Sequence, residues 1–487
     1  MGLRDLFKRN NSNDSEKYNN NKNFTYLNDL IHNGQKEILL DENIILDTSF
    51  QYKEHIKFIK GLSLDVDNLV IDGNGHTIDA KSKIPIFQCL GDNITLKNIT
   101  FKNGSSNITG GGALLNEENC NLNILSCNFL NNVSNNAGGA ITSLNGSILN
   151  IEGTVFEGNS AGIGGGAIAS FGKISLDNCK FYNNFAKKVA GAINNQKSGV
   201  LTVKNTKFID NHSNMDAGAI GNLGKCSLDN CEFSKNNSKE YGDAIFNQPS
   251  AILNINNVNF INHNVNYAIL FNQGELNLNE GIFKENKSGK ADCLIYSDSE
   301  SSLICSNYKF FKNNYKKGAC INNGSDNARF TECSFCNNKN NSVIFNTNSI
   351  DLIDCEFDNN ESNFYIIDSF DKQSTLKLSG GSLSNNSAKT TIFNSGKSCK
   401  IVDTLFKNNY SFSGSANDII NESNLNIEFI GNKVEDSYEK SNRKLILNNG
   451  NLDIGNKNKL NQEIIEFFVE IHVENYGKIN YYDIPNN

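Results

Sequence analysis

The chain repeats itself about every 25 residues, and this periodicity restricts the possible folds more than any other feature. Each repeat contains a phenylalanine that is followed three residues later by asparagine, as in Phe129/Asn132 and Phe156/Asn159. Between successive phenylalanines lies a second motif, first seen as GGAL and then as GGAI, whose last residue is an aliphatic anchor such as Ile141. A unit this short cannot bury an apolar face by itself, so neighbouring units must stack as a solenoid.

Apolar and polar residues alternate between the two motifs, as in Ile174-Ser-Leu176-Asp and Leu201-Thr-Val203-Lys. This period of two predicts strands rather than helices. Asparagine is very abundant, whereas proline occurs only 3 times and tryptophan is absent. Because asparagine is unfavourable inside helices and favourable in turns, the composition also favours short strands joined by turns. We therefore predict an all-β fold, a parallel β-helix of about fourteen regular coils.

Asparagine or serine lies two residues after every aliphatic anchor, which predicts a hydrogen-bonded column. In coils stacked about 4.8 Å apart, each asparagine amide can donate to the side-chain carbonyl of the next coil. The predicted ladder consists of Asn116, Asn195, Asn222, Asn247, Asn272, Asn323, Asn346, Asn394, Asn421 and Asn448.

Two further columns precede each phenylalanine. Three residues before it runs a polar column, which includes Asn178 and Asn205. Two residues before it runs a column of small side chains that includes Cys127, Cys179 and Cys231. We predict that these cysteines point inward beside stacked phenylalanine rings.

The ends of the chain differ from its middle. Residues 1–22 are polar and are predicted to be a disordered tail. Residues 23–60 are predicted to form an N-terminal cap with a short helix beginning near Phe24, and residues 61–450 the β-helix. Residues 451–487 are predicted to form a C-terminal cap, in which the alternation from Ile464 to Val473 indicates a covering strand.

Charge and hydropathy exclude several classes of partner. The net charge of −8 disfavours nucleic acid, and no apolar run approaches the roughly 20 residues of a membrane span. The opening MGLRDLFKRN is not followed by the apolar region of a secretory signal peptide, and the 13 cysteines do not suggest a disulfide framework. These features predict a cytoplasmic location by default and do not specify an oligomeric state.

The pairing of GGAI-like and FxxN motifs at this period resembles the polymorphic outer-membrane-protein repeat. Over roughly residues 24–450 the chain resembles the adhesin-like β-helix proteins of methanogenic archaea. The run from Leu69 to His76, with Asn93-Ile-Thr-Leu-Lys-Asn-Ile-Thr-Phe101 after it, is similar to the first coils of those proteins and of pectate-lyase-like folds. The resemblance implies a right-handed parallel β-helix, an adhesin-like role and a cell-surface location.

No catalytic, cofactor-binding or metal-binding residue is predicted. Lyases of the pectate-lyase-like fold use a basic residue and clustered carboxylates, and the nearest match is Arg329 with Asp326 and Glu332 close in sequence. Glu332 and Asp354 both belong to the polar column that precedes the phenylalanine, and they lie in adjacent coils. A polysaccharide lyase or glycoside hydrolase is therefore the alternative to our preferred hypothesis, a non-enzymatic interaction scaffold without a cofactor.

Two other groups of residues could ligate a metal or carry redox chemistry. His212 and His263 follow related phenylalanines but lie two coils apart, which disfavours joint metal ligation. Cys333 and Cys336 form a CxxC motif within a strand repeat, where the alternation of side chains would point the two sulfurs apart.

Aromatic residues directly follow the anchor in the C-terminal half, where earlier coils have small or polar ones. Because the residues on both sides are predicted to point inward, these rings should point outward as an exposed stripe that binds a polysaccharide or another protein surface. The alternative is that the chain bends here and the rings stack against a neighbouring loop or against the core. The predicted stripe consists of Phe246, Phe271, Tyr296, Phe345 and Phe393.

Overall fold

The computed structural model describes residues 22–49, 53–288, 293–413, 418–422, 426–435, 446–449, 451–455, 459–460, 463–464 and 473–482. In these residues the chain forms a parallel β-solenoid of about 15 turns, which confirms the predicted fold class. The helices in this part of the chain are α1, Phe24–Ile31, and α2, Glu54–Lys57. Asn23 caps α1, since its side chain accepts a hydrogen bond from the Tyr26 amide.

Each regular turn begins with an anchor strand, which carries the aliphatic anchor and the ladder residue two positions later. The anchor strands pair in parallel with those of the turns above and below. Their bounds are Leu62–Leu64, Phe87–Cys89, Leu114–Asn116, Ile141–Ser143, Ile168–Ser170, Ile193–Asn195, Ile220–Asn222, Ile245–Asn247, Ala268–Asn272, Cys293–Ser297, Asn314–Asn323, Lys339–Asn346, Glu361–Ser369, Thr390–Asn394, Ile419–Asn421, Ile446–Asn448 and Val473–Asn475.

A long strand follows, with alternate residues buried, and pairs in parallel with the long strands of adjacent turns. Three of these strands, Ile252–Ile261, Glu275–Lys284 and Ser302–Phe311, continue without a break through the phenylalanine of the FxxN motif. The bounds of the long strands are Glu37–Leu39, Val70–Asp72, Ile94–Lys97, Asn121–Leu125, Ile148–Glu152, Lys173–Asp177, Val200–Lys204, Lys225–Asp229, Ile252–Ile261, Glu275–Lys284, Ser302–Phe311, Asn327–Thr331, Ser349–Ile353, Thr375–Ser379, Ser398–Val402, Asn426–Ile430, Asn451–Gly455 and Lys478–Tyr482.

The next strand carries the phenylalanine of the FxxN motif, and we call it the Phe strand. In several turns a short strand follows it. Where the Phe strand is separate, its bounds are Ile44–Ile45, Thr77–Asp79, Thr100–Lys102, Asn128–Leu130, Val155–Glu157, Lys180–Tyr182, Lys207–Ile209, Glu232–Ser234, Ser334–Cys336, Glu356–Asp358, Ser382–Ser384, Leu405–Lys407, Lys433–Glu435 and Lys459–Leu460, which pairs antiparallel with Glu463–Ile464. The short strands are Ser105–Ser106, Val133–Ser134, Ser160–Ala161, Phe185–Ala186, His212–Ser213, Lys287–Ser288, Ser387–Ala388 and Tyr410–Ser411.

Bends between the long strand and the Phe strand are made by the polar column that precedes the phenylalanine. Asn178 and Asn205 have φ of 50° and 49°, in the left-handed region that asparagine tolerates better than most residues. Glu332 and Asp354 occupy the same bend in later turns, with φ of 52° and 49°. This acidic pair therefore forms bends of the backbone, like the asparagines of the same column.

The GGAI motif exists because adjacent turns approach each other closely at its glycines. A Cβ atom on Gly139 would lie 2.0 Å from the carbonyl oxygen of Gly166 in the next turn. Gly138, one residue earlier, has a φ of 64°. The motif thus marks a tight corner that precedes the anchor strand.

The core is dominated by a single stack of phenylalanine rings. All of these rings are fully buried, and the centroids of successive rings lie 4.4 to 5.2 Å apart. Cys127, Cys179 and Cys231 are buried beside the stack, as predicted, and the thiol of Cys179 donates to the Asp177 carbonyl at 3.2 Å. The stack consists of Phe101, Phe129, Phe156, Phe181, Phe208, Phe233, Phe260, Phe283, Phe310, Phe335 and Phe357.

The predicted asparagine ladder is confirmed. Asn195 donates to Oδ1 of Asn222 at 2.8 Å, and Asn222 donates to Oδ1 of Asn247 at 2.9 Å. Asn421 donates to Asn448 in the same way at 2.7 Å. Where serine replaces asparagine the hydroxyl accepts instead, as in the contact of 3.2 Å from Asn116 to Ser143.

A second ladder, which is more regular than the first, runs through the asparagines of the FxxN motif. Oδ1 of Asn159 accepts from both the side-chain amide and the backbone N–H of Asn132, each at 3.0 Å. The Asn159 amide donates to the backbone carbonyl of Phe129 at 2.9 Å. These asparagines are buried, and their hydrogen bonds join each turn to the next.

The predicted caps are only partly within the described residues. The N-terminal cap contains α1 as expected, and the buried Glu54 of α2 accepts hydrogen bonds from the backbone amides of Phe24 and Thr25. Residues 1–21, for which a disordered tail is predicted, lie outside the described residues. Of the predicted C-terminal covering strand from Ile464 to Val473, only the two end residues are described.

Candidate functional site

The residue directly after the anchor points away from the phenylalanine core, as predicted. Strand register aligns Phe246 with Phe271, and Phe271 with Tyr296. These three residues form an apolar cluster that is separate from the main core. The column continues through Asn322, Phe345, Asp368 and Phe393.

The expectation that this column forms an exposed stripe is wrong, since three of the five predicted residues are buried and the other two, Tyr296 and Phe345, are half-buried. Phe246 and Phe271 are only 7% and 5% exposed. Tyr241, from the corner before the Phe246 anchor strand, lies over them, with its ring centroid 4.6 Å from that of Phe271. Tyr296 is half-buried and stacks on Phe271 with centroids 4.7 Å apart. A neighbouring corner therefore covers this part of the column, which was the alternative interpretation.

The second part of the column lines a groove on the outer face of the anchor strands. Its volume is about 470 Å³. Phe345 is half-buried in it, and Phe393 is buried at its edge. We call this feature the aromatic groove and define it by its lining residues, Cys293, Lys317, Gly318, Ala319, Asn322, Asn341, Ser342, Phe345, Phe364, Tyr365, Asp368, Phe370 and Phe393.

The aromatic groove forms where the anchor strands depart from the GGAI pattern. Register between the strands Lys339–Asn346 and Glu361–Ser369 shifts between Asn340 and Ser342. The glycines that bring earlier turns into close contact are absent here, and the corner carries Phe364 and Tyr365 instead. The Tyr365 ring stacks on Phe393 with centroids 4.6 Å apart, and Phe364 and Phe370 are 48% and 59% exposed.

Asp368 is the acidic residue of the groove lining and lies between Phe345 and Phe393 in the register of the strands. It is only 7% exposed, and its Oδ1 atom has no hydrogen-bond partner. Burial raises the pKa of this carboxyl group to about 7. Burial and the charge of Asp368 also raise the pKa of Tyr365, so the phenol retains its proton.

The arginine considered for lyase chemistry is part of an exposed ion pair. Nη2 of Arg329 lies 3.3 Å from Oδ2 of Asp351 on the adjacent long strand, rather than forming an ion pair with Asp326 or Glu332. Both partners are partly exposed, which is typical of a solvated pair on a sheet surface. Within the described residues, no group of three or more histidine, cysteine, aspartate or glutamate side chains could hold a metal ion.

The two histidines are not brought together. His212 is partly exposed, and its Nε2 lies 3.1 Å from Oδ1 of Asp210. His263 is buried two turns away, where it takes the place of an asparagine in the second ladder. Cys333 points into the core, whereas Cys336 is half-buried on the other side of the chain, as predicted.

The sequence predicts Phe345 and Phe393 as binding residues but gives no indication of Asp368 or Tyr365. Asp368 occupies the same repeat position as the two phenylalanines, so its column was identifiable. That an acidic residue replaces an aromatic one in this column was the available signal. The groove opens around Asp368 because the GGAI corner is lost in this turn. The column of residues after the anchor does not reveal that loss.

Comparison with known proteins adds no assignment. No protein-family model matches the chain, and no curated protein matches it significantly. No helix in the described part of the chain is both long and apolar enough to cross a membrane.

Proposed function

We propose that the protein is a non-enzymatic, adhesin-like scaffold that binds a glycan in the aromatic groove. The observation that carries the proposal is the group of aromatic rings around this groove, two of which are about half exposed. Concave sites lined by aromatic rings and a few polar groups are typical of ligand binding. The groove also has Asn322 and Asn341 in its lining, whose amides can hydrogen-bond hydroxyl groups.

A rigid solenoid suits such a role. The ladders of asparagine and the phenylalanine stack fix the spacing of the turns, so the rings of the groove are held on regular strands rather than on a long loop. A pre-organised binding surface loses little entropy when a ligand binds. The fold is compatible with an adhesin, and the resemblance of the repeats to adhesin-like proteins favours a cell-surface location.

Binding is favoured over polysaccharide hydrolysis by the chemistry of the groove. Hydrolysis of a glycosidic bond normally requires two carboxyl groups across the bond. Asp368 is the single carboxyl group among the described residues that line the groove. A lyase or hydrolase remains the second candidate, and release of reducing or unsaturated sugar ends by the purified protein would favour it.

A glycan array tests the binding proposal. We expect the wild-type protein to bind at least one polysaccharide, and a Phe364→Ala/Phe370→Ala variant to bind it about tenfold more weakly, because two exposed rings are lost. Phe412→Ala is the matched control, since Phe412 is also about half exposed but does not line the groove. Equal binding by the double variant and the wild type would contradict the proposal.

Antibody labelling of intact cells, followed by fractionation, tests the proposed location. Labelling before lysis supports a surface adhesin. Recovery of the protein only from the lysed cell interior would contradict the surface role.

A further inference from the structure

Asp368 is a buried carboxyl group that faces the aromatic groove without a complete set of partners. Its side chain is more than nine-tenths buried, and Oδ1 accepts no hydrogen bond. Burial of an ionisable group without a partner is costly, and such groups are found where they serve a ligand. Among the side chains that the structure describes, no lysine or arginine forms an ion pair with Asp368.

We propose that the aromatic groove is selective for a glycan that carries a free amine, and that Asp368 binds this amine. The inference rests on the proposed function and adds the chemical class of the ligand. An amine supplies hydrogen-bond donors to the carboxylate of Asp368, which lines the groove, and its positive charge is complementary to the ionised group. The surrounding rings favour the same ligand, since ammonium groups are attracted to aromatic faces.

The geometry places the carboxyl group among aromatic rings. Asp368 lies between Phe345 and Phe393 in register, and Tyr365 stacks on Phe393. A sugar ring lying against Tyr365 and Phe345 would therefore bring a substituent close to the carboxyl group. A neutral hydroxyl group could donate one hydrogen bond to the carboxylate, whereas an ammonium group donates several and also compensates the charge.

Other charged and titratable groups come from the elements around Asp368, and one of them is the carboxylate of Glu422, whose charge acts on Tyr365. Tyr365 lies on the same strand, and Lys317 comes from the strand Asn314–Asn323. Cys293 belongs to the strand Cys293–Ser297. Lys389 lies beyond the groove, with Nζ 5.8 Å from the centroid of the Tyr365 ring. Lys317 is exposed and does not pair with Asp368, so the carboxyl group is available to a ligand amine.

Binding should depend on pH because the carboxyl group must be ionised to hold the ammonium group. Burial raises the pKa of Asp368 to about 7, so the free protein is increasingly protonated at this position below that pH. We therefore expect the affinity for the amine to fall as the pH is lowered from 7 to 5. Asp368→Asn should remove this fall in affinity, because an amide does not titrate in this range; any dependence that is left comes from the ligand amine, which takes up a proton as the pH is lowered.

Titration calorimetry with two oligosaccharides of equal length tests the proposal. The probes are a glucosamine oligomer, which has free amines, and the corresponding N-acetylglucosamine oligomer, which has none. We expect wild-type protein at pH 7 to bind the glucosamine oligomer at least about tenfold more tightly, and Asp368→Asn to remove this preference. Lys317→Gln should retain it, since the lysine is not the recognition group.

The outcomes separate this inference from the proposed function. Equal affinity of the wild type for the two oligomers, or a preference lost in Lys317→Gln but kept in Asp368→Asn, would overturn the role of Asp368. Glycan binding through Phe364 and Phe370 would then still stand. Failure of the wild type to bind any oligosaccharide, here and on the array, would overturn the proposed function itself. Near-ultraviolet circular dichroism checks that Asp368→Asn is folded.

Discussion

The side-chain amide of Asn195 donates a hydrogen bond of 2.8 Å to Oδ1 of Asn222 in the following turn, and both residues are fully buried. Asn222 continues the ladder, because its own side-chain amide donates hydrogen bonds to Oδ1 of Asn247 and to the backbone carbonyl of Ile252. Replacing one member therefore affects the turns on both sides. The ladder therefore lies inside the solenoid and not on its surface.

The first prediction concerns this ladder. Asn222→Leu should lower the free energy of unfolding by about 1 to 3 kcal/mol, since it leaves the Asn195 amide and the Ile252 carbonyl without their partner. Asn150→Leu is the control, because Asn150 donates to Asn123 in an exposed pair. Urea unfolding measures both. Equal unfolding midpoints for the Asn222 variant and the wild type would mean that the ladder does not stabilise the fold.

The second prediction concerns the position where histidine interrupts the other ladder. His263 is buried, its backbone amide donates to Oδ1 of Asn286 at 2.9 Å, and its Nε2 atom has no partner. Burial lowers the pKa of the imidazole from 6.5 to about 4. Between these two pH values the unfolded chain binds a proton that the folded chain rejects. The free energy of unfolding should therefore fall by up to about 3 kcal/mol as the pH is lowered through this range.

His263→Asn should remove this pH-dependent contribution and extend the ladder from Asn236 to Asn286. We expect the variant to be more stable than the wild type, with a difference that grows as the pH falls from 6.5 to 4. Thermal unfolding at several pH values measures the difference. A constant difference across this range would show that His263 does not titrate as its burial requires.

The third prediction concerns the effect of Asp368 on the free energy of unfolding. Because burial raises its pKa from 3.8 to about 7, the folded state retains a proton that the unfolded state has released. Stability from this group is therefore present below pH 3.8 and lost as the pH rises through 7. Asp368→Asn should exceed the wild type in free energy of unfolding by about 2 to 4 kcal/mol at pH 8.

Near pH 4 the difference should be small, because the carboxyl group is then protonated in the folded wild type and about half protonated in the unfolded chain. Urea unfolding at pH 4 and pH 8 makes the comparison without a ligand. If Asp368→Asn is no more stable than the wild type at pH 8, the carboxyl group is not in the unfavourable environment that the binding proposal requires.

The fourth prediction concerns the cysteines. Twelve of the 13 are buried, and burial raises the pKa of Cys127 to about 12. The buried thiols should be inert in the folded protein, because a reagent must reach the sulfur and burial keeps it out. Cys336, which is half-buried, should be alkylated first. Mass spectrometry after brief treatment with iodoacetamide tests this order, and early labelling of Cys127 or Cys179 would contradict the inward cysteine column.

The sequence was sufficient to predict which residues share a column. Motifs repeated in register identify equivalent positions, and equivalent positions must stack in a solenoid, so the Asn222 ladder and the inward cysteines followed directly. The burial of Phe246 did not follow. It depends on Tyr241, whose ring comes from the preceding corner and lies over the column. Periodicity assigns a residue to a column but does not reveal how far a long side chain from another segment reaches.

Periodicity also fails to predict where a column is left open, as it is at the aromatic groove. Asp368 belongs to a column that the repeats identify, yet its importance depends on the open corner formed by Phe364 and Tyr365. That corner lies where the motif has degenerated and the register shifts. Departures from a repeat are where sequence periodicity gives the least information, and here they form the candidate binding site.

The most direct test of the binding account is a crystal structure of the protein grown with a glucosamine oligomer at pH 7. We predict a sugar ring against Tyr365 and Phe345, with its amine nitrogen within about 3.2 Å of a carboxylate oxygen of Asp368. An empty groove at saturating oligomer, or an oligomer bound elsewhere on the solenoid, would contradict the account.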